Sequence, residues 1–541
     1  MSRSPDHRVR LRDPEVGVVA LLTGAFVLLG AALSLLVPMF GNFDEQTHLD
    51  RARYSARHPV EDVGPELRRT SGSWAASVAV DAARVSPPSD PAAYRGTYAP
   101  FRDYPGGNRQ QRADCPGLCQ NIQYVHPPGW YLLVAPVTGV LEDRPFPHMV
   151  LALRLLDVLL VAPMVALAWA TAREVWPRSP RRRLAVTALV AMCAPLAYTA
   201  SAVNNDALLL LAAGTAIYLG TRVLRRGPTP WLAAALGAAV TVGLLTKVQM
   251  VLMAPALGLM VLAGPVVHRS QRVRSAAAFA VAAAPGALWW LVSVLDSNPL
   301  APKGTELLSA PAEGPWNDES YLTYAVAKVP QLLGRFWGTY DSPVTFVPDT
   351  VRLMLGLAVA LLALGWLVAR PWARPDVEQL RWLLLAAVPA SLVAGVLQAS
   401  VSAYRRSGEL RALAPRYLYP AAAVLAIAAV AAAITILRRL DRPAPRGALL
   451  LTMALAAVAA VASVAHVARS AYGTGSPSEV LDAARGVSPI GRPAPALAAV
   501  ALLWLGTVVL ALRGARDLSV RSAPRDGKAR GPTWGRSGPQ N

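Results

Sequence analysis

Cysteine is scarce in this chain: its 541 residues include three, too few for a disulfide framework. Cys193 lies inside an apolar run and reads as an inert packing residue. Cys115 and Cys119 form a C-x3-C pair in a long polar segment, and would form a small local disulfide if that segment is exported. No second Cys or His pair lies nearby at ligand spacing, which argues against a metal site there. Charge is also scarce. Only 16% of residues are charged, against ~25% in soluble domains. With 54% hydrophobic residues, the chain reads as an all-α polytopic membrane protein. Neither a Rossmann glycine pattern nor a P-loop occurs, so no soluble nucleotide-sugar domain is expected. No small-residue cleavage pattern follows the first apolar run, which therefore reads as a retained helix rather than a signal peptide.

Basic residues are abundant. The formal net charge is +20, but most arginines fall in short clusters between apolar runs, as the positive-inside rule requires of cytoplasmic loops. That placement makes nucleic acid an unneeded partner and the lipid bilayer the expected one. Residues 1–14 carry Arg3, Arg8, Arg10 and Arg12 and belong in the cytoplasm. The first span runs from about Val16 to Phe40. A second, near Met149 to Ala172, follows a long polar loop, 41–148. Inside that loop, residues 129–141 are apolar but too short to span, and should be interfacial or re-entrant.

Two hairpins follow. One, Leu184 to Thr221, breaks at Asn204-Asn205-Asp206; the other, Trp231 to Val267, breaks at Thr246-Lys247-Val248-Gln249. Further spans are expected near Ser275 to Leu295, Val351 to Val368, Trp382 to Ser402, Tyr417 to Leu437, Ala448 to Val467 and Ala496 to Leu512, giving about twelve in all with both termini inside. Residues 15–437 would form the core, with a second outer loop at 296–350; residues 438–512 would add helices, and 513–541 would be a basic, disordered cytoplasmic tail.

The polar breaks all fall on the expected outer side. Asp44 and Glu45 emerge directly after the first span, and if a helix continues, Asp44, His48 and Arg51 share one face at i, i+4 and i+7. His126 precedes Pro127-Pro128-Gly129-Trp130-Tyr131, and Arg154 with Asp157 lies inside the second span, where charges usually face a protein interior or a wet cavity. An outer loop from Tyr404 to Arg411, continuing to Arg416-Tyr417-Leu418-Tyr419-Pro420, holds Arg405 and Arg416 where short loops should be poor in arginine; such guanidinium groups suit phosphate. Cations would hold a lipid-linked phosphosugar while a carboxylate accepts a proton from an incoming hydroxyl. Asp44, Glu45, His48 and His126 are also of the types that bind a divalent cation, although nothing in the sequence fixes their mutual distance.

The order of these pieces, an acidic pair after the first helix, Pro127-Pro128 with aromatics before Arg154, and Thr246-Lys247 in a later hairpin, resembles the glycosyltransferase C superfamily, including protein O-mannosyltransferases and aminoarabinose transferases. Asp44 to His48, Asn205-Asp206 and Arg416 to Pro420 look closest to a less characterised branch of bacterial membrane proteins. The resemblance implies an outward-facing site in the cell membrane that uses a polyprenyl-phosphate-linked sugar, with a glycan, lipid or protein as acceptor. It would make Asp44 the base, Glu45 its partner, and Lys247 and Arg416 the holders of the donor phosphate. Where those families usually carry Lys-Gly-Pro, this chain has Lys247-Val248-Gln249. A transporter or flippase of a lipid-linked or anionic precursor shares the same cations and spans, but would place its charges at the bilayer midplane and show inverted repeats.

Overall fold

The computed structural model describes residues 13–39, 44–58, 123, 126–266, 268–295, 323, 377–407, 415–439, 447–472, 476–488, 490 and 492–521. Among the described residues the regular elements are helical. They are α1 (Pro14–Leu36), α2 (Glu45–Arg57), α3 (Gly129–Val140), α4 (Phe146–Val161), α5 (Pro163–Val175), α6 (Pro180–Ala191), α7 (Ala194–Ala200), α8 (Asp206–Arg226), α9 (Pro230–Leu244), α10 (Gln249–Ala263), α11 (Arg269–Leu295), α12 (Val377–Ser407), a 3-10 turn (Pro415–Ala421), α13 (Ala422–Arg439), α14 (Ala448–Tyr472), α15 (Pro477–Val487) and α16 (Pro493–Arg521).

Several helices start where the sequence dictates. Proline occupies the first helical position of α1, α9 and α15, where its missing N–H is no loss. The preceding Asp13, Thr229 and Ser476 accept from the amides of Glu15, Leu232 and Glu479, supplying partners that those helix ends lack. Gly237 of α9 lies so close to the Phe279 carbonyl of α11 that a Cβ would collide with it, and these two helices pack along much of their length.

Among the described residues, eight helices are long and apolar enough to cross a membrane, or nine if the pair Pro180–Ala191 and Ala194–Ala200, bent by 53°, is one span. The chain is an all-α polytopic membrane protein. The expected count of about twelve is not reached among the described residues. The two arms of the second hairpin, α9 and α10, are 15 residues each and fall short of a full crossing, while the span expected at Val351 to Val368 lies outside the described residues, as do Cys115, Cys119 and nearly all of the loop 296–350.

Other boundaries differ from expectation. The span placed at Met149 to Ala172 is α4 plus α5, continuous over 30 residues. The loop 41–148 contains α2 and α3, which pack on each other. The segment from Arg513 stays helical to Arg521. Helix α12 continues through Tyr404 and Arg405 to Ser407, so the arginine loop begins as a helix; the Arg405 side chain lies outside the described residues. The short α15 was not expected at all.

Candidate active site

The site forms where the C-terminal end of α1, the start of α2, the break before α8, the turn between α9 and α10 and the 3-10 turn come together. Residues 34 to 38, where α1 ends, present carbonyls with no helical partner. Arg154 of α4 supplies three of those partners. Its Nη1 donates to Ser34 O at 3.0 Å and Val37 O at 2.8 Å, and its Nη2 to Pro38 O at 2.8 Å. The same guanidinium forks onto Glu45 at 2.7 and 2.6 Å, with both side chains fully buried. The Val203 amide adds a third hydrogen bond to Glu45, at 3.0 Å. All the donor directions of Arg154 are used within the protein, so its position is that of a brace rather than of a phosphate holder. Glu45, expected as a catalytic partner, is likewise turned inward.

Two further side chains complete the exit of α1. The Tyr472 hydroxyl donates to Leu36 O at 2.7 Å and the Ser488 hydroxyl to Leu35 O at 3.1 Å. Nothing in the local sequence marks either residue; a lone tyrosine ending an apolar helix and a lone serine after a short one carry no signal of a partner more than four hundred residues away.

Asp44 follows this braced exit and behaves differently. Its φ of 48° makes it the one non-glycine residue with positive φ among the described residues. That backbone conformation is uncommon outside glycine, although Asp is one of the residues that tolerate it. Its carbonyl starts α2 by accepting from the amides of Thr47 and His48, yet its carboxylate makes no cap hydrogen bond. An N-cap aspartate ordinarily spends its carboxylate on those amides. Here the group is left 44% exposed with Arg416 Nη2 at 3.8 Å.

Arg416, at the start of the 3-10 turn, faces a second carboxylate, with Nε 4.0 Å from Asp206 Oδ2. Lys247 Nζ lies 2.6 Å from Asp206 Oδ1, with both groups almost fully buried. The two hairpin breaks are thereby joined, and Asn205 Nδ2 donates across the same gap to Thr246 O at 3.2 Å. Asp157 of α4 accepts from Trp130 Nε1 at 2.8 Å and from the Asn204 amide at 3.3 Å, fixing the α7–α8 break against α3. Gly129 docks α3 onto the other turn: its amide donates to Leu245 O at 2.7 Å, and a Cβ there would meet that oxygen at 2.5 Å. Buried Asn204 Nδ2, Asn205 Oδ1, Asp206 Oδ2 and Gln249 Oε1 have no hydrogen-bond partner, a costly state that points to a ligand or other partner at the site.

The histidines line the same region. His48 Nδ1 is 2.8 Å from the Tyr131 hydroxyl, and its ring stacks on His126 with centroids 6.0 Å apart. Arg51 lies over the Tyr131 ring at 4.0 Å and donates to Gln123 O. Burial holds the His48 imidazole well below the ordinary histidine value, and His126, Lys247, Arg416 and Arg51 push in the same direction. His126 is lowered likewise, by burial first and then by Lys247, Arg51 and Arg416. Both rings are therefore neutral at pH 7.

The structure thus gathers Asp44, His48, His126, Asp206, Lys247 and Arg416 around one region, with Asn205 beside it and Tyr417 next to Arg416 (Cζ 5.6 Å from the ring). Among the described residues no three His, Cys, Asp or Glu side chains converge as metal ligands; Glu45 is turned to Arg154 and His48 to Tyr131, so the four residues considered for a divalent cation do not form a donor set.

Residues 125–291 match the family described as dolichyl-phosphate-mannose-protein mannosyltransferase. No curated protein sequence matches the chain. Among solved structures, ArnT from Cupriavidus metallidurans bound to undecaprenyl phosphate is similar at 16% identity and a TM-score of 0.45, over 93% of this chain and 78% of that one. An oligosaccharyltransferase from Archaeoglobus fulgidus in its apo form is similar at 12% identity and a TM-score of 0.38, over 85% of this chain and 55% of that one. Those structural likenesses are loose. His126, Arg154, Asp206 and Lys247 all lie inside the matching segment, which is where the expected resemblance to the glycosyltransferase C superfamily is met.

Proposed function

We propose that this protein transfers a sugar from a polyprenyl-phosphate donor to a hydroxyl of a glycan, lipid or protein acceptor at the extracytoplasmic face of the cell membrane. The observation that carries the reading is the carboxylate of Asp44, released from its own helix and exposed 3.8 Å from Arg416. Backbone strain of this kind collects at functional sites. In the reaction, the acceptor oxygen attacks the anomeric carbon while Asp44 takes its proton. The bond from that carbon to the phosphate oxygen breaks, and the electron pair leaves with the polyprenyl phosphate. Arg416 would meet the charge that gathers there, with Lys247 behind it. Asp206 would hold both cations in place, which accounts for a second carboxylate in a phosphate site. The unpaired polar atoms of Asn204, Asn205 and Gln249 suit the hydroxyls of a sugar ring. Glu45 and Arg154 act by fixing where Asp44 sits.

The test is Asp44→Asn in proteoliposomes supplied with a radiolabelled polyprenyl-phosphate sugar and a membrane extract as acceptor. Transfer should fall by about 10²- to 10⁴-fold, while thermal stability stays within ~0.5 kcal/mol, because Asn also tolerates the left-handed backbone. Transfer that persists in the variant removes Asp44 from this role, and no transfer by the wild type from any such donor removes the reading itself.

A further inference from the structure

The rings of His126, His48 and Tyr131 lie nearly parallel beside the site, with 6° between the first two planes and 15° between the last two. His48 is fixed in this row. Its Nδ1 meets the Tyr131 hydroxyl at 2.8 Å, Trp130 stands edge-on with centroids 6.1 Å apart, and the residue is 3% exposed. His126 stands at the other end: it is partly open to solvent, and among the described residues its imidazole makes no hydrogen bond. The Gly129 amide, bonded to Leu245 O at 2.7 Å, anchors the segment that carries His126 against the α9–α10 turn, where Lys247 sits. Of the two histidines, His126 is the one with nitrogens left to give to a ligand.

The titratable and charged groups around this ring are His48 and Arg51 of α2, with Tyr131 of α3 beyond His48, Lys247 of the α9–α10 turn and Arg416 of the 3-10 turn. Asp44 and Asp206 meet the same cations, at 3.8 Å from Arg416 and 2.6 Å from Lys247. An imidazole in such company stays neutral until an anion arrives beside it. Sugar transfer supplies that anion in two grades. The donor is a phosphate diester with one negative charge. Breaking the bond from the anomeric carbon to the phosphate oxygen leaves a monoester, whose second acid step is ~6, so that it carries close to two charges at neutral pH. The acceptor's proton has gone to Asp44, so the phosphate gains a charge without gaining a proton.

We propose that His126 distinguishes the two phosphates: it stays neutral beside the diester and binds one proton from solution beside the monoester, so that the spent carrier and that proton leave together. The inference rests on the sugar-transfer reading. Because binding of the monoester takes up a proton, its affinity falls as pH rises, by at most about tenfold per unit, while that of the diester is flat. The test is isothermal titration calorimetry of the purified full chain with two probes of the same polyprenyl tail, the phosphate monoester and its methyl diester. It is run at about pH 7.5 in HEPES and in Tris, whose different ionisation heats report the protons exchanged. There the free monoester is already a dianion, so any proton taken up binds to the protein. Wild type should take up about half to one proton with the monoester and about none with the diester, and from about pH 7 to pH 8.5 its affinity for the monoester should fall about threefold to tenfold. H126N should lose both the uptake and the pH slope while still binding the diester; if H126N does not fold, H126Q takes its place. Equal proton counts for the two probes, a flat monoester affinity in the wild type, or uptake that persists without His126 overturns the inference and leaves the sugar-transfer reading standing. A wild type that binds neither probe removes both.

Discussion

Glu45 sits in a region where each charge is answered, whereas one residue earlier the chain enters a region where charges are only partly answered. In the first, a buried guanidinium meets a buried carboxylate at two short contacts, and the carbonyls at the end of α1 take its remaining donors. In the second, Arg416 stands 3.8 and 4.0 Å from two carboxylates, Asp206 Oδ2 has no hydrogen bond, and Asp44 is open to solvent. A saturated cluster can only support; an unsaturated one can exchange its partners for those of a ligand. The same chemistry of arginine and carboxylate thus takes opposite forms on the two sides of a single peptide bond.

Breaking the saturated cluster should have the largest effect. Arg154→Ala leaves Glu45 buried and unpaired, a loss of about 3–5 kcal/mol, seen as a collapse of the melting temperature in detergent. Arg416→Ala, by contrast, should abolish transfer while costing less stability than Arg154→Ala, because its carboxylate contacts are longer, at 3.8 and 4.0 Å; comparable melting losses in the two variants would erase the distinction between the regions.

The distinction was only half legible in the sequence. Both hairpins could be seen because Asn204-Asn205-Asp206 and Thr246-Lys247 interrupt apolar runs of the right length, and their polar residues do meet in the structure. Asp44 could be seen because it follows the first long apolar run. Arg154 could be recognised as unusual, but not as a brace: its role depends on backbone carbonyls at 34, 37 and 38, and a sequence does not show which carbonyls are left without partners. The inward turn of Glu45 follows from the same contact and was hidden with it.

A smaller effect tests the brace from its far side. Tyr472→Phe and Ser488→Ala each remove one donor to the end of α1 and should cost about 1 kcal/mol apiece, with faster amide exchange over residues 36–48 in the double variant. Unchanged exchange there would mean that these contacts do not hold Asp44 in place.

The smallest effect concerns acidity. His48 and His126 have lowered folded-state values, so the unfolded chain binds their protons more readily. Stability from them is complete above the unfolded value of ~6.5 and declines as pH falls below it. The melting temperature should drop between about pH 7.5 and pH 5.5, and less steeply in H48N/H126N; parallel slopes in the two proteins would assign that loss to other groups.

The hydroxyls of Tyr472 and Ser488 reach carbonyls 436 and 453 residues earlier in the chain. A ribosome therefore delivers Asp44 near the beginning of synthesis, long before the groups that complete its mooring exist. During biogenesis the first carboxylate to leave the membrane is among the last to acquire its final setting, so an enzyme halted partway through insertion would carry the carboxylate without the finished mount.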